Sequence, residues 1–257
     1  STGLPEIDYI LGDPYVTPEA ESGHFTEKIW QLPESYLCFT PPKHKLMVSS
    51  LPARSNGFVT FGCFNRLSKM TDDVVSVWAD ILHAVPHSKL YLKDRFLRHS
   101  LECDRIISRF ARNGIASQRL LMEGASKREE YLASYHNVDI ALSPFPYGGG
   151  TTSIEGLWMG VPVICMRGHH FLSHLGESIA HNANLSDWIA IDSQDYVSKA
   201  IKFSSDLGSL ETLRINLREA LLKTPICDMP RFADFFKQAL WGMKSISDHQ
   251  RRVANTR

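Results

Sequence analysis

The chain has 257 residues, of which 43% are hydrophobic and 22% charged, and this composition excludes a largely disordered protein. Its 28 Lys and Arg residues balance 28 Asp and Glu residues, so the chain lacks the basic field that would hold a nucleic-acid backbone or an anionic membrane surface. An anionic ligand must therefore be bound by a few groups placed close to it.

The first 56 residues carry seven prolines, which disfavour long helices and central strands. We interpret residues 1–56 as a linker or as the remnant of a preceding lobe. From residue 57 onward, short apolar runs alternate with segments whose apolar residues recur at helical spacing. The predicted strands span residues 58–64, 89–92, 119–122, 138–142, 161–165 and 188–191. The predicted helices span residues 71–85, 101–112, 127–135, 152–159, 171–180, 194–205, 210–222 and 231–244.

This alternation is typical of an α/β fold in which helices cover both faces of a parallel sheet. We predict a doubly wound, Rossmann-like sheet over residues 57–225, followed by a C-terminal helix and tail over residues 226–257. The polar end of the tail, residues 248–257, is expected to be poorly ordered. In such a fold the ligand binds beyond the carboxyl ends of the strands, so the loops at that edge are the candidates for a site.

The five cysteines are widely spaced, and no two of them form a C-x-x-C pair. Such a pattern is atypical of a disulfide framework or a zinc cluster, and it favours a reducing compartment. The longest uncharged stretch, residues 140–154, contains prolines and consecutive glycines and is therefore not a membrane helix. We expect a cytoplasmic protein that binds neither nucleic acid nor a membrane.

The segment 143–155 reads Ser-Pro-Phe-Pro-Tyr-Gly-Gly-Gly-Thr-Thr-Ser-Ile-Glu and joins a predicted strand to a predicted helix. Its glycines, ending at Gly150, let the backbone approach a ligand closely. Thr151 and Thr152 then offer hydroxyls and free N–H groups at a helix N-terminus, where phosphate is favoured. Glu155, one turn into the helix, is placed to accept hydrogen bonds from hydroxyls such as those of a ribose. The segment indicates a phosphate site, with a mobile glycine turn capped by threonine as the alternative.

Two other loops carry cations near the same edge. Arg66 and Lys69 follow the first predicted strand and could converge on the same phosphates, although two solvated cations in an ordinary loop would look alike. Arg128 and Tyr131 lie one turn apart at a helix start and could hold a sugar and stack on a base. Taken alone, that second segment is more typical of an ordinary charged helix start.

A histidine-rich segment follows the fifth predicted strand. His170 and His174 are four residues apart, which is a spacing that can bind a metal on a helix. No third ligand at a defined spacing accompanies them, so we predict no metal site and expect these histidines to line a polar loop.

Several runs of the sequence, in this order, match one known family. They are Phe61-Gly-Cys-Phe-Asn65, Val77-Trp78-Ala-Asp-Ile-Leu82, Val138-Asp-Ile-Ala-Leu142, Phe145-Pro-Tyr147, Gly150-Thr-Thr152 and Glu155-Gly-Leu-Trp-Met-Gly-Val-Pro-Val163. They resemble the O-GlcNAc transferase family, which includes bacterial homologues and the plant SPINDLY-type O-fucosyltransferases. The likeness spans nearly the whole chain.

The resemblance implies a GT-B glycosyltransferase whose C-terminal lobe, this chain, holds a nucleotide sugar. By position, Lys69 would contact the diphosphate and stabilise the leaving group, which makes it the candidate catalytic residue. Thr151 and Thr152 would bind phosphate, and Glu155 would lie at the ribose. The implied reaction is a direct displacement with inversion at the anomeric carbon, without a metal, onto a Ser or Thr hydroxyl of a polypeptide. The family's N-terminal lobe, with its catalytic histidines, and its tetratricopeptide repeats are the implied partners of this lobe.

Four candidate positions differ from the pattern of that family. Arg128 lies where the O-GlcNAc enzymes have a lysine near the ribose and base, and Tyr131 where many members have a histidine that stacks on the base. Arg66 replaces a phosphate-binding glutamine of the animal enzyme, and Gly150 replaces a histidine beside the sugar. We expect UDP-GlcNAc as the donor, with GDP-fucose as the SPINDLY-type alternative.

Two further interpretations stay open at this point. The chain could be a non-catalytic module that binds a nucleotide sugar or another protein, since the implied N-terminal lobe is not part of it. It could also be a GT-B relative such as a sugar-nucleotide epimerase.

Overall fold

The computed structural model describes residues 1–43 and 46–255. The strands are β1 (Tyr9–Gly12), β2 (Lys28–Gln31), β3 (Thr60–Cys63), β4 (Lys89–Lys93), β5 (Leu120–Glu123), β6 (Ile140–Leu142), β7 (Val163–Met166) and β8 (Ile189–Ala190). The α-helices are α1 (Pro52–Asn56), α2 (Asp72–Ala84), α3 (Ser100–Ala111), α4 (Arg128–Ala133), α5 (Thr151–Trp158), α6 (Leu175–Asn182), α7 (Ser193–Ser205), α8 (Leu207–Leu222) and α9 (Met229–Asn255). Short 3₁₀ helices join several of these elements.

Six of the strands form one parallel sheet in the order β5-β4-β3-β6-β7-β8. The chain runs outward from β3 to β4 and β5 and then returns to add β6 on the other side of β3. The helix α2 contacts α3 and α7, whereas α5 contacts α6 and α8, so helices flank the sheet. This arrangement confirms the predicted doubly wound α/β fold, and it places the topological switch point between β3 and β6.

The helix α2 shows how local sequence produces this packing. The Thr71 side chain accepts a hydrogen bond from the Val74 N–H and so caps the helix. Two aspartates in the first turn stabilise the helix further, because their negative charge lies at the positive end of the helix dipole. Its apolar side chains recur at helical spacing and are buried: Val74, Val77, Trp78, Ile81 and Leu82. Burying such a side chain stabilises the fold by about 1.5 to 3 kcal/mol, which accounts for the docking of this helix on the sheet.

The first 56 residues form β1, β2 and α1 and pack against the sheet region. The strands β1 and β2 pair in a separate two-stranded parallel sheet. The buried Asp13 carboxylate accepts hydrogen bonds from the Ser178 hydroxyl of α6 and from the Tyr36 N–H, at 2.5 and 3.2 Å. Further along, Asp139 accepts from the N–H groups of Ala53 and Thr60 at 2.9 and 2.8 Å, which fixes α1 beside β3. The leading segment is therefore joined to the lobe by buried polar contacts.

The observed boundaries differ most from the predicted ones at two helices, α6 and α9. The segment predicted as one helix over residues 171–180 is a 3₁₀ turn over Phe171–Ser173 followed by α6. At the C-terminus, α9 extends to Asn255, because no glycine or proline follows Gly242 to end it. The expectation of poor order for residues 248–257 stays a prediction, and residues 256–257 lie outside the described residues.

None of the helices within the described ranges is both long enough and apolar enough to cross a bilayer.

Candidate functional site

The loops that follow β3 and β6 line a cavity of about 690 Å³ at the switch point of the sheet. Five of the eight predicted site residues lie around this cavity: Arg66, Lys69, Gly150, Thr151 and Thr152. They come from two loops about 80 residues apart, which meet because β3 and β6 are neighbours in the sheet. The structure thus brings together the cations and the glycine-threonine loop that the sequence indicated separately.

Lys69 connects the two loops. Its Nζ donates a hydrogen bond to the Gly148 carbonyl oxygen at 2.7 Å and lies 3.6 Å from the centre of the Tyr147 ring. Burial lowers the pKa of Lys69. An ammonium group has three donors, and the bond to Gly148 uses one of them. Lys69 is therefore held at the cavity wall as a cation with donors that can reach a ligand.

The N-terminus of α5 forms the opposite wall. The helix begins at Thr151, with Gly150 as its N-cap residue, and Thr151 is exposed to the cavity. Its first backbone N–H groups and the helix dipole provide a local positive potential without a charged side chain. A phosphate group at this position would meet Lys69 on one side and the helix N-terminus on the other.

Asn65 is a site residue that the sequence analysis missed. Its Oδ1 accepts a hydrogen bond from the Thr152 hydroxyl at 3.2 Å, so it joins the end of β3 to the start of α5. A Cβ atom at Gly149 would lie 2.6 Å from Ser153 Oγ and 3.0 Å from Asn65 Nδ2, so a larger residue there would displace these polar side chains. The position of Asn65 directly after a strand, at the ligand-binding edge, was the available signal.

A second cavity of about 270 Å³ adjoins the first, and both include Phe64 and Arg66 in their walls. Arg66 is exposed between them. Tyr131 lines the second cavity, together with Lys93 at the end of β4. Lys93 is buried and forms an ion pair with Glu123. The two cavities together make an elongated cleft along the carboxyl edge of the sheet.

The three remaining predicted residues, Arg128, Tyr131 and Glu155, lie next to one another. Arg128 donates a hydrogen bond to Glu155, and its guanidinium carbon lies 5.5 Å from the centre of the Tyr131 ring. The side chain of Glu155 is only 4% exposed, whereas that of Arg128 is 48% exposed. Burial raises the pKa of the Tyr131 phenol, and its interactions with Glu155 add to the rise. Glu155, which the sequence suggested would be open to a ribose, is a buried partner of Arg128.

The histidine-rich segment connects the leading residues of the chain to α6. His174 is buried, and its Nδ1 and Nε2 lie 2.7 Å from Glu177 and 3.1 Å from Glu21. The hydrogen bond with Glu177 raises the pKa of His174, against the opposing effect of burial. His170 is exposed, with its ring 5.8 Å from that of His24. Across residues 1–43 and 46–255, no group of three His, Cys, Asp or Glu side chains is placed to hold a metal ion.

The family model described as glycosyl transferase family 41 matches residues 50–235. The chain is 40% identical over 233 residues to a protein of Solanum lycopersicum named probable UDP-N-acetylglucosamine–peptide N-acetylglucosaminyltransferase SPINDLY. That match covers 90% of this chain and 25% of the relative. A second relative, from Arabidopsis thaliana, carries the same enzyme name but ends in SEC instead of SPINDLY. It is 27% identical, and the match covers 96% of this chain and 26% of that relative. The chain thus spans about a quarter of the length of these curated relatives.

Among solved structures, an O-GlcNAc transferase mutant of Thermobaculum terrenum superposes with a TM-score of 0.83 at 33% identity. The match covers 91% of this chain and 44% of that one. The parallel sheet, the flanking helices and the C-terminal helix α9 are therefore those of the C-terminal lobe of a GT-B glycosyltransferase.

Proposed function

The chain belongs to glycosyl transferase family 41, and on that basis we propose that it is the donor-binding lobe of a protein O-glycosyltransferase. The observation that carries the proposal is the convergence of Lys69 and the N-terminus of α5 on one cavity at the switch point. A nucleoside diphosphate has the negative charge that Lys69 and the helix N-terminus would bind. The polypeptide acceptor is proposed from the names of the relatives, which are peptide transferases.

The diphosphate occupies the larger cavity in this proposal. Lys69 and Arg66 contact its oxygens from the loop after β3, and the N–H groups and hydroxyls of Thr151 and Thr152 contact it from α5. A Cβ atom at Gly150 would lie 3.4 Å from Leu175 Cδ2, so the backbone at this residue lies close to α6. The nucleoside extends towards the neighbouring cavity and towards the cluster formed by Arg128, Tyr131 and Glu155.

The reaction follows from where charge develops. An acceptor hydroxyl oxygen forms a bond to the anomeric carbon while the bond from that carbon to the diphosphate oxygen breaks, with inversion. The departing diphosphate gains negative charge, and Lys69 together with the dipole of α5 stabilises that charge. No metal takes part in this scheme. The acceptor proton passes to a base outside this lobe, which we assign to the N-terminal lobe implied by the family resemblance.

We propose UDP-GlcNAc as the donor, because the two plant relatives described above carry that nucleotide sugar in their names. GDP-fucose is the second candidate, favoured by the likeness to the SPINDLY-type sequences and by Gly150, Arg66 and Arg128, which depart from the O-GlcNAc pattern. The two donors differ in base as well as in sugar, so nucleotide affinity separates them.

The curated relatives are much longer than this chain, which affects whether the chain alone would transfer a sugar. Since this chain spans about a quarter of them, we propose that transfer requires an N-terminal lobe and that tetratricopeptide repeats recognise the acceptor. A nucleotide-binding module without transferase activity is the alternative supported by the same observation. Transfer of labelled GlcNAc to a peptide by the 257-residue chain alone would contradict both the required N-terminal lobe and the inactive module.

Calorimetric titration of the chain with UDP and with GDP tests the proposal. We expect saturable binding of one of them, with UDP bound more tightly if UDP-GlcNAc is the donor. Tighter binding of GDP would instead support the fucose donor. A folded sample that binds neither nucleotide would refute the nucleotide-sugar function.

A further inference from the structure

A cavity of about 480 Å³ lies between α7 and α8, away from the proposed donor site. Near the start of α7, Asp195 accepts a hydrogen bond at 3.0 Å from the N–H of Ile191, which directly follows β8. Near the end of α7, Phe203 packs on Trp188, which directly precedes β8. The helix α7 therefore runs antiparallel to β8, and the cavity lies at the amino edge of the sheet, opposite the donor cleft.

One wall of this cavity is aromatic. The rings of Trp188 and Phe203 stack with their centres 4.0 Å apart and their planes inclined by 16°. Leu210 and Leu213 of α8 add aliphatic surface. Ligand pockets of about 300 to 1,000 Å³ are lined by apolar and aromatic side chains with a few polar groups among them. The volume and the lining of this cavity are those of a small-molecule site.

Most of the polar side chains that line the cavity are already paired. Asp206 Oδ1 accepts from the Ser209 N–H at 3.0 Å, and its Oδ2 accepts from the Ser209 hydroxyl at 2.7 Å. Asp206 is also the N-cap residue of α8, where the helix dipole compensates a negative charge. The Ser205 hydroxyl donates to the Lys202 carbonyl oxygen at 2.8 Å. These groups therefore place few demands on a ligand.

Lys202 differs from them, because its charge is not paired. Its Nζ lies 5.6 Å from the centre of the Phe203 ring, and it forms no hydrogen bond or ion pair within residues 1–43 and 46–255. An ammonium group carries three N–H donors and no acceptor. The cavity thus combines an apolar wall with a cation whose donors are unused.

We propose that this cavity is a second ligand site, which takes an amphipathic carboxylate, a molecule with an apolar body and one anionic end. The body packs against the rings of Trp188 and Phe203, and the carboxylate accepts hydrogen bonds from Lys202. The site does not depend on the proposed function, since it shares no lining residue with the two cavities of the donor cleft.

Three probes of similar shape test the site: phenylbutyrate, its uncharged amide phenylbutyramide, and the cation phenylbutylamine. Backbone amide chemical shifts of the labelled chain report where each one binds and how tightly. We expect phenylbutyrate to shift residue 188 and residues 202–213. It should bind about tenfold more tightly than the amide, as for one charge-assisted contact, and the amine should bind most weakly.

Two variants separate the charge from the aromatic wall. Lys202→Met keeps the stem and removes the charge, so it should bind phenylbutyrate and its amide about equally. Phe203→Leu removes the stacked ring and should weaken the binding of both probes. Lys237→Met, at an exposed position of α9, is the control and should keep the preference for the carboxylate. Urea unfolding shows whether each variant is folded.

The results that would overturn the inference are distinct. If none of the three probes shifts residue 188 or residues 202–213, the cavity is not a site for this class of ligand. Equal affinity of the unmodified chain for acid and amide, or tighter binding of the amine, would contradict the assignment of a carboxylate. A preference for phenylbutyrate that persists in Lys202→Met would remove Lys202 from the site.

Discussion

Lys69 is the residue on which the proposed chemistry depends most. It is the cation that the fold holds between the two loops of the cleft, through the Gly148 carbonyl and the Tyr147 ring. We expect Lys69→Ala to weaken UDP binding by about 1 to 3 kcal/mol, because a charge-assisted contact is lost. Calorimetry measures the change, and Lys237→Ala on the exposed side of α9 is the control. Equal affinities of the Lys69 variant and the unmodified chain would remove Lys69 from the site.

Gly149 tests whether the backbone must approach closely at the start of α5. A Cβ atom there would lie 2.8 Å from Thr152 Oγ1 as well as against Ser153 and Asn65, so Gly149→Ala must displace these side chains or the loop that carries them. We expect about a tenfold loss of nucleotide affinity, since about 1.4 kcal/mol of lost binding energy corresponds to that factor. Gly23→Ala is the matched control, because a Cβ at Gly23 meets nothing within 4 Å. If both variants bind UDP like the unmodified chain, the tight geometry of the loop has no role in binding.

At the residue scale, the sequence indicated which residues are candidates for the site, but it did not indicate which side chains contact one another. Thr151, Thr152 and Lys69 were predictable because a glycine loop before a helix and a cation after a strand are local patterns. The pairing of Arg128 with Glu155 was not predictable, since the two residues are 27 positions apart in the sequence. Their contact depends on how α4 and α5 pack. Whether each of these residues binds the donor stays a prediction until it is measured.

The helix α8 is fastened to the lobe by one fully buried arginine. Arg214 donates to the Ser49 carbonyl at 2.9 Å, to the Val138 carbonyl at 2.7 Å and to the Tyr135 carbonyl at 3.3 Å. We expect Arg214→Met to lower the free energy of unfolding by about 3 kcal/mol, because it leaves buried carbonyls without donors. Urea unfolding measures this, with Arg105→Met as the exposed control. A loss no larger than that of the control would contradict the assigned role.

The contact between the leading segment and α6 should depend on pH. His174 lies between Glu21 and Glu177, with Arg167 and His181 also facing Glu177 at 3.4 and 3.9 Å. The pKa of His174 is raised in the folded protein, chiefly by its hydrogen bond with Glu177. Its stabilising contribution is therefore complete below the unfolded pKa of about 6.5 and is lost as the pH rises through the folded pKa.

We expect His174→Gln to remove that part of the pH dependence. The difference in thermal unfolding midpoint between the unmodified chain and the variant should be largest at acidic pH and should shrink as the pH rises from about 6.5. Differential scanning calorimetry at a series of pH values measures it. A difference that stays constant across the series would show that His174 does not titrate in this contact.

At the element scale, the alternation of strands and helices after residue 57 could be predicted from the sequence, because buried strands are short apolar runs and helices carry apolar residues at helical spacing. Helix boundaries that are set by tertiary contacts could not be predicted from the sequence. The turn over Phe171–Ser173 is fixed by the Ser173 hydroxyl, which donates to the His170 carbonyl at 2.7 Å, so the helical pattern of residues 171–180 misplaced the start of α6. The length of α9 was underestimated because polar residues near a terminus were interpreted as disorder.

For the whole molecule, the balanced charge and the cleft are consistent with each other. The donor site is built from a few groups at one edge of the sheet, where two loops and a helix N-terminus meet, and needs no broad basic surface. The fold class followed from the order of elements in the sequence. The contacts that join the leading 56 residues to α6 and α8 could not be predicted from the sequence. They depend on Asp13, His174 and Arg214, whose partners lie far away along the chain.

The central claim is that a nucleoside diphosphate binds at the switch point between β3 and β6. Backbone amide chemical shifts of the labelled chain, followed during titration with UDP and with GDP, test it most directly. The structure also has a cavity of about 480 Å³ between α7 and α8, lined by Trp188 and Phe203, which serves as an internal comparison. We predict that the largest shifts fall in residues 65–69 and 148–153. Shifts confined to the α7 and α8 cavity, or the absence of shifts with either nucleotide, would contradict the account.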